Sequence, residues 1–501
     1  MDPIPYLVIV ALAAGFFIPI FGKRVKYIGG ITAILATSAL FALSLFVSYL
    51  AKGGKVLVCN VGKWPAPAGI AMVVDGFSCF MLVIVNAIAL LAAIYSTEYV
   101  KRYTDTWKFF SLFMLMVAGM NGVLVSGDLF NLYVFLEIAA IAAYSLVAFG
   151  VEGPDLEASF KYAVMGAVGS SFIMLGIAFV YSYASTLNMA DMALTLNAEG
   201  AKNIVLFVSV LFLMGFGLKA AIVPFHAWLP DAHSSAPTPV SAMLSGLLIK
   251  VLGIYALARI FFNVLGMSPR LSAILIMLAV ISMVTASFLA FGQTDIKRLF
   301  AYSTISQVGY IILGFGVGTP LAIMGGLFHL FNHSIFKSLL FMNAGAIETI
   351  CGTRDIRKMP GILKKSPVTG YTNLIGSLSI CGVPPLGGFW SKVVIIFACI
   401  QADRPVLALI AATVSILTLA YYFKAVTPIL FGAKELNAVP PAQNKRITFA
   451  IAMPMVVLAV LSILSVLLLM PNMGRSFLGD AIGVLVRGQD YANILMGSMK
   501  W

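Results

Sequence analysis

The chain of 501 residues is 61% hydrophobic and only 10% charged, a composition that excludes a soluble globular protein. Its formal net charge of +13 does not indicate nucleic-acid binding, because the basic residues are scattered through short segments between apolar runs. The five cysteines form no CxxC pair and match no haem or iron–sulfur spacing. We therefore expect no disulfide framework, no cofactor and no redox chemistry within this chain.

Apolar runs recur along the whole sequence, and each is long enough to cross a bilayer as an α-helix. We predict an all-α polytopic membrane protein with about fourteen transmembrane helices. Residues 55–69 are predicted to form a short extramembrane hairpin. The predicted spans cover residues 4–20, 27–51, 75–96, 108–125, 128–150, 158–185, 203–224, 238–262, 270–291, 297–317, 320–349, 368–400, 405–432 and 447–470.

Lys and Arg are more frequent in the loops after odd-numbered spans than in those after even-numbered spans. The loops after odd-numbered spans include Lys434, Lys445 and Arg446. The count for even-numbered spans includes Arg259 at a span edge and Arg475 in the tail. The positive-inside rule therefore predicts cytoplasmic odd loops, with both termini outside.

The basic residues that remain fall inside the predicted spans, and all of them are lysines. Arg cannot release its proton in a protein, whereas a desolvated Lys can, so this choice indicates proton exchange. For Lys161 and Lys424, which lie nearer span ends, snorkelling to the lipid headgroups is an alternative. These lysines are Lys161, Lys219, Lys250, Lys337, Lys392 and Lys424.

Glu137 is the one acidic residue expected at mid-span, in the segment NLYVFLEIAAIAAYSL. A buried carboxylate either faces a cation or stays protonated and bonds a neighbouring helix, and both alternatives are open here. Lys219 is the best candidate cation, because Pro224 is expected to break its helix just beyond it. His226, Asp231 and His233 crowd this break, but their spacing matches no standard metal site, and no metal is expected.

His329, His333 and Lys337 recur at intervals of four residues and form a stripe on one predicted helix. Titratable groups about 6 Å apart along a helix make a plausible proton wire. Further along, Pro384 and Pro385 interrupt a span just before Lys392.

Two interrupted helices, one near Lys219 and one near Lys392, are the sequence signature of inverted repeats with an ion site between them. We expect two five-helix repeats of opposite orientation, each with a broken helix. The predicted regions are an N-terminal three-helix region (1–107), a first repeat (108–262), a second repeat (270–432), a last span (447–470) and an amphipathic C-terminal tail (471–501).

Several long motifs, in this order, resemble the antiporter-like subunits shared by complex I, the Mrp multi-subunit Na⁺/H⁺ antiporters and membrane-bound energy-converting hydrogenases. The first and third of them are most similar to the D-type Mrp subunit. The resemblance implies a fourteen-helix subunit with two inverted repeats in a prokaryotic cell membrane. The motifs are GDLFNLYVFLEI, GLKAAIVPFHAWLPDAHSSAPTPVSAMLSGLLIK, TDIKRLFAYSTISQVGYIILGF, FNHSIFKSLLFMNAG and PPLGGFWSK.

The same resemblance implies that Glu137 and Lys219 are the paired residues, and that Lys392 leads to the far exit. Lys250 with His329 or His333 would form the central axis, with Lys337 in the same relay. Gln307 stands where some relatives have His, which speaks against a relay role there. The supporting residues would be Pro224, His226, Asp231, His233, Ser303, Pro384, Pro385 and Lys424.

The expected function is that of a proton-translocating subunit in a multi-subunit cation/proton antiporter or respiratory-type complex. Its partners would be other membrane subunits, including further antiporter-like ones, together with the lipid bilayer, protons and, as a candidate second ion, Na⁺. The alternative is a self-sufficient secondary transporter of a small solute or cation, with Lys219 and Lys392 as substrate anchors.

Overall fold

A computed structural model describes residues 2–498, apart from residues 26, 65, 67, 198–200, 360, 433–446 and 471–476. Six basic residues of the loop and tail count therefore lie outside the described residues: Lys26, Lys434, Lys445, Arg446, Arg475 and Lys500. The principal helices are α1 (Tyr6–Gly22), α2 (Ile28–Leu50), α3 (Gly76–Tyr99), α4 (Thr106–Val125), α5 (Leu129–Val147), α6 (Gly153–Ala184), α7 (Met189–Leu196), α8 (Lys202–Lys219), α9 (Trp228–Ser235), α10 (Thr238–Val264), α11 (Pro269–Phe291), α12 (Ile296–Val317), α13 (Pro320–Cys351), α14 (Pro367–Cys381), α15 (Gly387–Gln401), α16 (Pro405–Phe431), α17 (Phe449–Leu464), α18 (Leu478–Val486) and α19 (Tyr491–Ser498).

The predicted α-helical membrane architecture is confirmed. In the part of the chain that the structure describes, eleven helices are long and apolar enough to cross a membrane. The predicted hairpin also forms, as antiparallel strands β1 (Leu57–Asn60) and β2 (Ala71–Val74), with Leu57 opposite Val74. Its second strand lies beyond the predicted residues 55–69.

Both predicted breaks are present, and the first helix ends earlier than the predicted span 203–224. Helix α8 ends at Lys219 rather than continuing towards Pro224, because the chain turns at Ala221, whose φ is 55°. The predicted span 368–400 is two helices, α14 and α15, and the chain turns between them at Gly382, whose φ is 77°. Each turn leaves helix-terminal backbone groups inside the bundle.

Helix α10 is wholly buried and wound more widely than an α-helix along much of its length. It is π-helical over Leu244–Leu248, Lys250–Tyr255 and Arg259–Val264. Gly253 lies against Ala220, the residue that caps α8, and a Cβ on Gly253 would stand 2.5 Å from Ala220 atoms. π-helical turns are uncommon and concentrate at functional sites, so α10, which lies beside Lys219, is a candidate functional helix.

Loops that follow odd-numbered predicted spans meet at one end of the helix bundle. Arg102 Nη2 lies 4.0 Å from Glu348 Oε2, and Arg354 Nε lies 3.3 Å from Asp295 Oδ2. We call this the Glu348 end. Nearby, Arg357 donates to both carboxylate oxygens of Asp355 at 3.0 and 2.8 Å, and these bonds lower the pKa of Asp355 to about 2.

The described C-terminal helices lie at the opposite end and pack on the chain itself. Asn263 Nδ2 donates to Val484 O at 2.9 Å, and the Asp480 carboxylate accepts the Gly53 N–H at 3.1 Å. Asp2 is hydrogen-bonded to Cys59 of the hairpin at the same end. The described N-terminal residues and α18 therefore share one end of the bundle.

Candidate functional site

Glu137 and Lys219 meet across α5 and α8. Glu137 Oε1 lies 3.4 Å from Lys219 Nζ, and Lys219 Nζ also lies 3.4 Å from the Tyr144 hydroxyl. The Ser170 hydroxyl of α6 donates to the same carboxylate oxygen. The Lys219 side chain is only 3% exposed and that of Glu137 is 25% exposed, so Lys219 lies in the interior of the helix bundle and Glu137 lies nearer its surface.

The polar residues after α8 lie in two different environments, one accessible and one buried. Asp231 pairs with Lys161 at 3.1 Å and with Arg298 at 2.9 Å, and the Lys161 side chain is 47% exposed. Of the two histidines, His226 is half-buried, whereas the His233 ring is buried and stacks on Phe341 at 4.7 Å between centroids. Asp231 therefore belongs to an accessible ion-pair network, and His233 belongs to the core.

Lys250 is fully buried in the π-helical part of α10, where its ammonium group donates to Ser245 O. The Ser245 hydroxyl in turn lies 2.7 Å from the Thr304 hydroxyl of α12. No carboxylate pairs with Lys250 among the described residues. A buried cation without a counter-ion is costly, which favours a group that exchanges its proton.

The stripe predicted on α13 is buried along its whole length. The rings of His329 and His333 are nearly parallel, at 7°, with centroids 6.0 Å apart. His329 Nδ1 lies 2.8 Å from the Ser391 hydroxyl of α15, and Lys337 Nζ lies 2.5 Å from the Ser303 hydroxyl of α12. The stripe thus contacts both neighbouring helices that carry predicted site residues.

Lys392 lies at the second break, where its ammonium group donates to Ile380 O near the end of α14 at 2.7 Å. It also lies 3.4 Å from the Ser415 hydroxyl and 5.3 Å above the Tyr310 ring. Pro384 and Pro385 lie in the turn that separates α14 from α15. The Lys392 ammonium group therefore lies at the end of α14, whereas Lys219 is itself the last residue of α8.

Two further residues considered in the sequence, Lys424 and Gln307, differ in burial. Lys424 is exposed and donates to Phe291 O at 2.9 Å. Gln307 is fully buried, and neither atom of its amide has a hydrogen-bond partner among the described residues.

A buried ion pair at the other end of α10 was not predicted. Arg259 was expected at a span edge, and its burial inside the helix bundle was not expected. Arg259 lies within α10, 7% exposed, and its guanidinium is 2.8 Å from Asp75, which also accepts from Tyr491 of α19. Hydropathy alone could not show this, because the helices that cover the pair lie more than two hundred residues further along the chain.

Several other protonatable groups are buried on neighbouring helices. His333 lies within electrostatic range of Lys250, Lys337, His329 and Lys392, whereas Lys219 interacts with Glu137. Gly253, three residues after Lys250, contacts Ala220, the residue after Lys219, so the helices that carry the two lysines are in contact. Fold and site together define a polytopic α-helical membrane protein with buried protonatable side chains on several helices.

Comparison with known proteins identifies the family. Residues 126–418 match the NADH:quinone oxidoreductase/Mrp antiporter transmembrane family, and residues 64–110 match the N-terminal family of complex I chain 5. Because the first match covers more than half of the chain, the protein belongs to the antiporter-like family of complex I and Mrp antiporters.

Curated relatives agree with this family. The chain is 32% identical to the D-type component of the Na⁺/H⁺ antiporter of Alkalihalophilus pseudofirmus, over 85% of this chain and 87% of that protein. It is 34% identical to the N-type component of the NADH-quinone oxidoreductase of Desulforudis audaxviator, over 88% of this chain and 87% of that protein. The predicted family resemblance is confirmed.

Solved structures of two membrane complexes contain similar chains. One is the membrane-bound sulfane sulfur reductase, an archaeal respiratory complex, with a TM-score of 0.90 and 30% identity over 98% of this chain and 99% of that one. The other is the Mrp complex of a Dietzia species, with a TM-score of 0.89 and 25% identity over the same shares.

Proposed function

We propose that this chain is a proton-translocating subunit of a multi-subunit cation/proton antiporter or respiratory-type membrane complex. The observation that carries the proposal is the Glu137–Lys219 pair, 3.4 Å apart at a helix end inside the membrane bundle. The pair adjoins a buried set of lysines and histidines that reaches Lys392.

In the proposed mechanism, Glu137 holds Lys219 in its charged form until an event in the complex separates them. An unpaired buried ion costs several kcal/mol, and Lys219 removes that cost by releasing its proton. The proton then passes through Lys250 and the α13 histidines to Lys392. Moving one charge against 100 mV costs about 2.3 kcal/mol, so breaking the pair is an adequate driver.

We also propose the finer architecture expected from the sequence, with fourteen transmembrane helices and two inverted five-helix repeats (108–262 and 270–432). The breaks after Lys219 and before Lys392 support this arrangement. We place the Glu348 end in the cytoplasm and both termini outside, following the positive-inside rule. Loops that follow odd-numbered predicted spans meet at the Glu348 end, which supports this orientation.

The partners we propose are other membrane subunits, including further antiporter-like subunits, in the cell membrane of a prokaryote. The two structural relatives, each part of a membrane complex, support this proposal. Protons are the proposed ions, and the names of the Na⁺/H⁺ antiporter relatives make Na⁺ a second candidate for the complex.

The test is charge translocation by the whole complex in reconstituted vesicles, with Lys219→Ala and Glu137→Ala as variants. We expect both variants to lose most of the translocation rate at normal abundance in the membrane. Lys108→Ala is the matched control and should leave the rate unchanged, because this lysine side chain is 52% exposed and pairs with Asp105, outside the proposed relay. Full translocation by both variants would refute the proposed function.

A further inference from the structure

Glu348, near the end of α13, is a carboxylate outside the site described above. Its side chain is 25% exposed, and its Oε2 atom is buried without a hydrogen-bond partner among the described residues. Oε2 lies 4.0 Å from both Arg102 Nη2 and Lys297 Nζ. Glu348 therefore lies between the accessible surface and the buried side chain of Lys297.

Lys297 begins α12, and its side chain is only 3% exposed. Its ammonium group donates to Ala236 O at 3.1 Å, directly after α9. Arg102, Arg354, Asp295 and Asp155 also lie within electrostatic range of Lys297. Asp295 pairs with Arg354 at 3.3 Å, and among the described residues Glu348 is the acid within ion-pair distance of Lys297, at 4.0 Å.

His233 lies three residues before the carbonyl that Lys297 binds. Its ring is fully buried, and neither ring nitrogen has a hydrogen-bond partner among the described residues. Lys297, Lys250 and Lys337 all lie within electrostatic range of the ring. A titratable ring with two unused nitrogens among three lysines is poorly explained by packing alone, since buried polar groups are normally satisfied.

We propose that Glu348, Lys297 and His233 form a proton-uptake path from the Glu348 end of the bundle to Lys250 and Lys337. This inference rests on the proposed function, which it deepens by naming the residues that reload the central set. The path has an exposed acid at its start, buried bases along its length and the central lysines at its end.

Each transfer returns its donor to the original form. The Glu348 carboxylate takes a proton from hydronium in the adjoining aqueous phase, leaving water, and passes it to the neutral amine of Lys297. The resulting ammonium protonates one nitrogen of His233, which then protonates the neutral amine of Lys250 or Lys337. The gap of 4.0 Å between Glu348 and Lys297 is closed by a side-chain rotation or one bridging water.

The first test measures charge translocation by the complete complex, normalised to the abundance of this chain in the vesicles. Glu348→Gln should slow translocation at least about tenfold, since it removes a proton donor–acceptor. Glu98→Gln is the matched control: Glu98 also bonds a lysine, Lys101, and is 29% exposed, but it lies outside the path. Equal rates in the two variants would overturn the inference.

The second test separates proton transfer from a structural ion pair at Lys297. Arg keeps the charge next to Glu348 but cannot release its proton, whereas His can exchange one. We expect Lys297→Arg to slow translocation at least about tenfold and Lys297→His to retain more of the rate. The reverse order would show a structural pair and overturn the inference.

Lys219→Ala, measured in parallel, distinguishes failure of the uptake path from failure of the proposed function. Loss of translocation in Lys219→Ala with normal rates in the Glu348 and Lys297 variants would reject only the uptake path. Normal translocation in Lys219→Ala would reject the proposed function itself.

Discussion

Glu137 and Lys219 are 82 residues apart in the chain, yet their charged atoms lie 3.4 Å apart where α8 ends. The Ser170 hydroxyl shares the carboxylate oxygen that faces the lysine. The carboxylate is therefore held by one charged and one neutral donor. If the Glu137 carboxylate controls the protonation of Lys219, removing either donor should change the rate of charge translocation.

We predict that Ser170→Ala lowers the rate of charge translocation several-fold, because a hydrogen bond to a charged group contributes about 1.5–3 kcal/mol. Ser171→Ala is the control, since the Ser171 hydroxyl is exposed and bonds only Ala167 O of its own helix, at 3.0 Å. Rates measured in reconstituted vesicles should fall only for Ser170→Ala. A similar fall in both variants would mean that α6 itself is disturbed.

A second prediction concerns the contact between α10 and the end of α8. Gly253→Ala places a Cβ 2.5 Å from Ala220 atoms, so the helices must separate, at a cost of about 1–3 kcal/mol. We expect a lower thermal unfolding temperature and slower translocation. Gly483→Ala is the control, because its Cβ meets nothing within 4 Å. An unchanged Gly253→Ala protein would show that this close approach is unimportant.

Stability should also depend on the buried pair of Arg259 and Asp75. Arg259→Ala leaves Asp75 buried without its cation, which should cost about 3–5 kcal/mol of the free energy of unfolding. Thermal unfolding in detergent is the measurement. Arg357→Ala breaks an ion pair in which the arginine is 70% exposed, and its unfolding temperature should not change. Equal behaviour of the two variants would contradict this account.

Much of the helical architecture could be predicted from local pattern alone. Long apolar runs specify membrane helices, and an isolated acid such as Glu137 stands out against them. The helix break near Lys219 was also expected, because proline cannot continue a helix. The relay roles of these residues stay predictions until transport is measured.

The partners of Arg259 and Lys297 could not be predicted, since hydropathy describes one segment at a time. The burial of Arg259, which was expected at a span edge, was not predicted because its partner Asp75 lies 184 residues earlier and Tyr491 of α19 covers the pair. Lys161, counted among the membrane lysines, instead lies in an accessible network with Asp231. The burial of Lys297 against Ala236 O likewise depends on a contact across 61 residues.

The most direct test of the central claim is charge translocation by the intact complex carrying Lys219→Arg. Arg keeps a positive charge opposite Glu137 but cannot release its proton, so only proton exchange at this position is removed. We predict that translocation falls at least about tenfold while the chain remains in the assembled complex. Translocation at the normal rate would show that charge alone suffices at residue 219 and would contradict a proton relay through it.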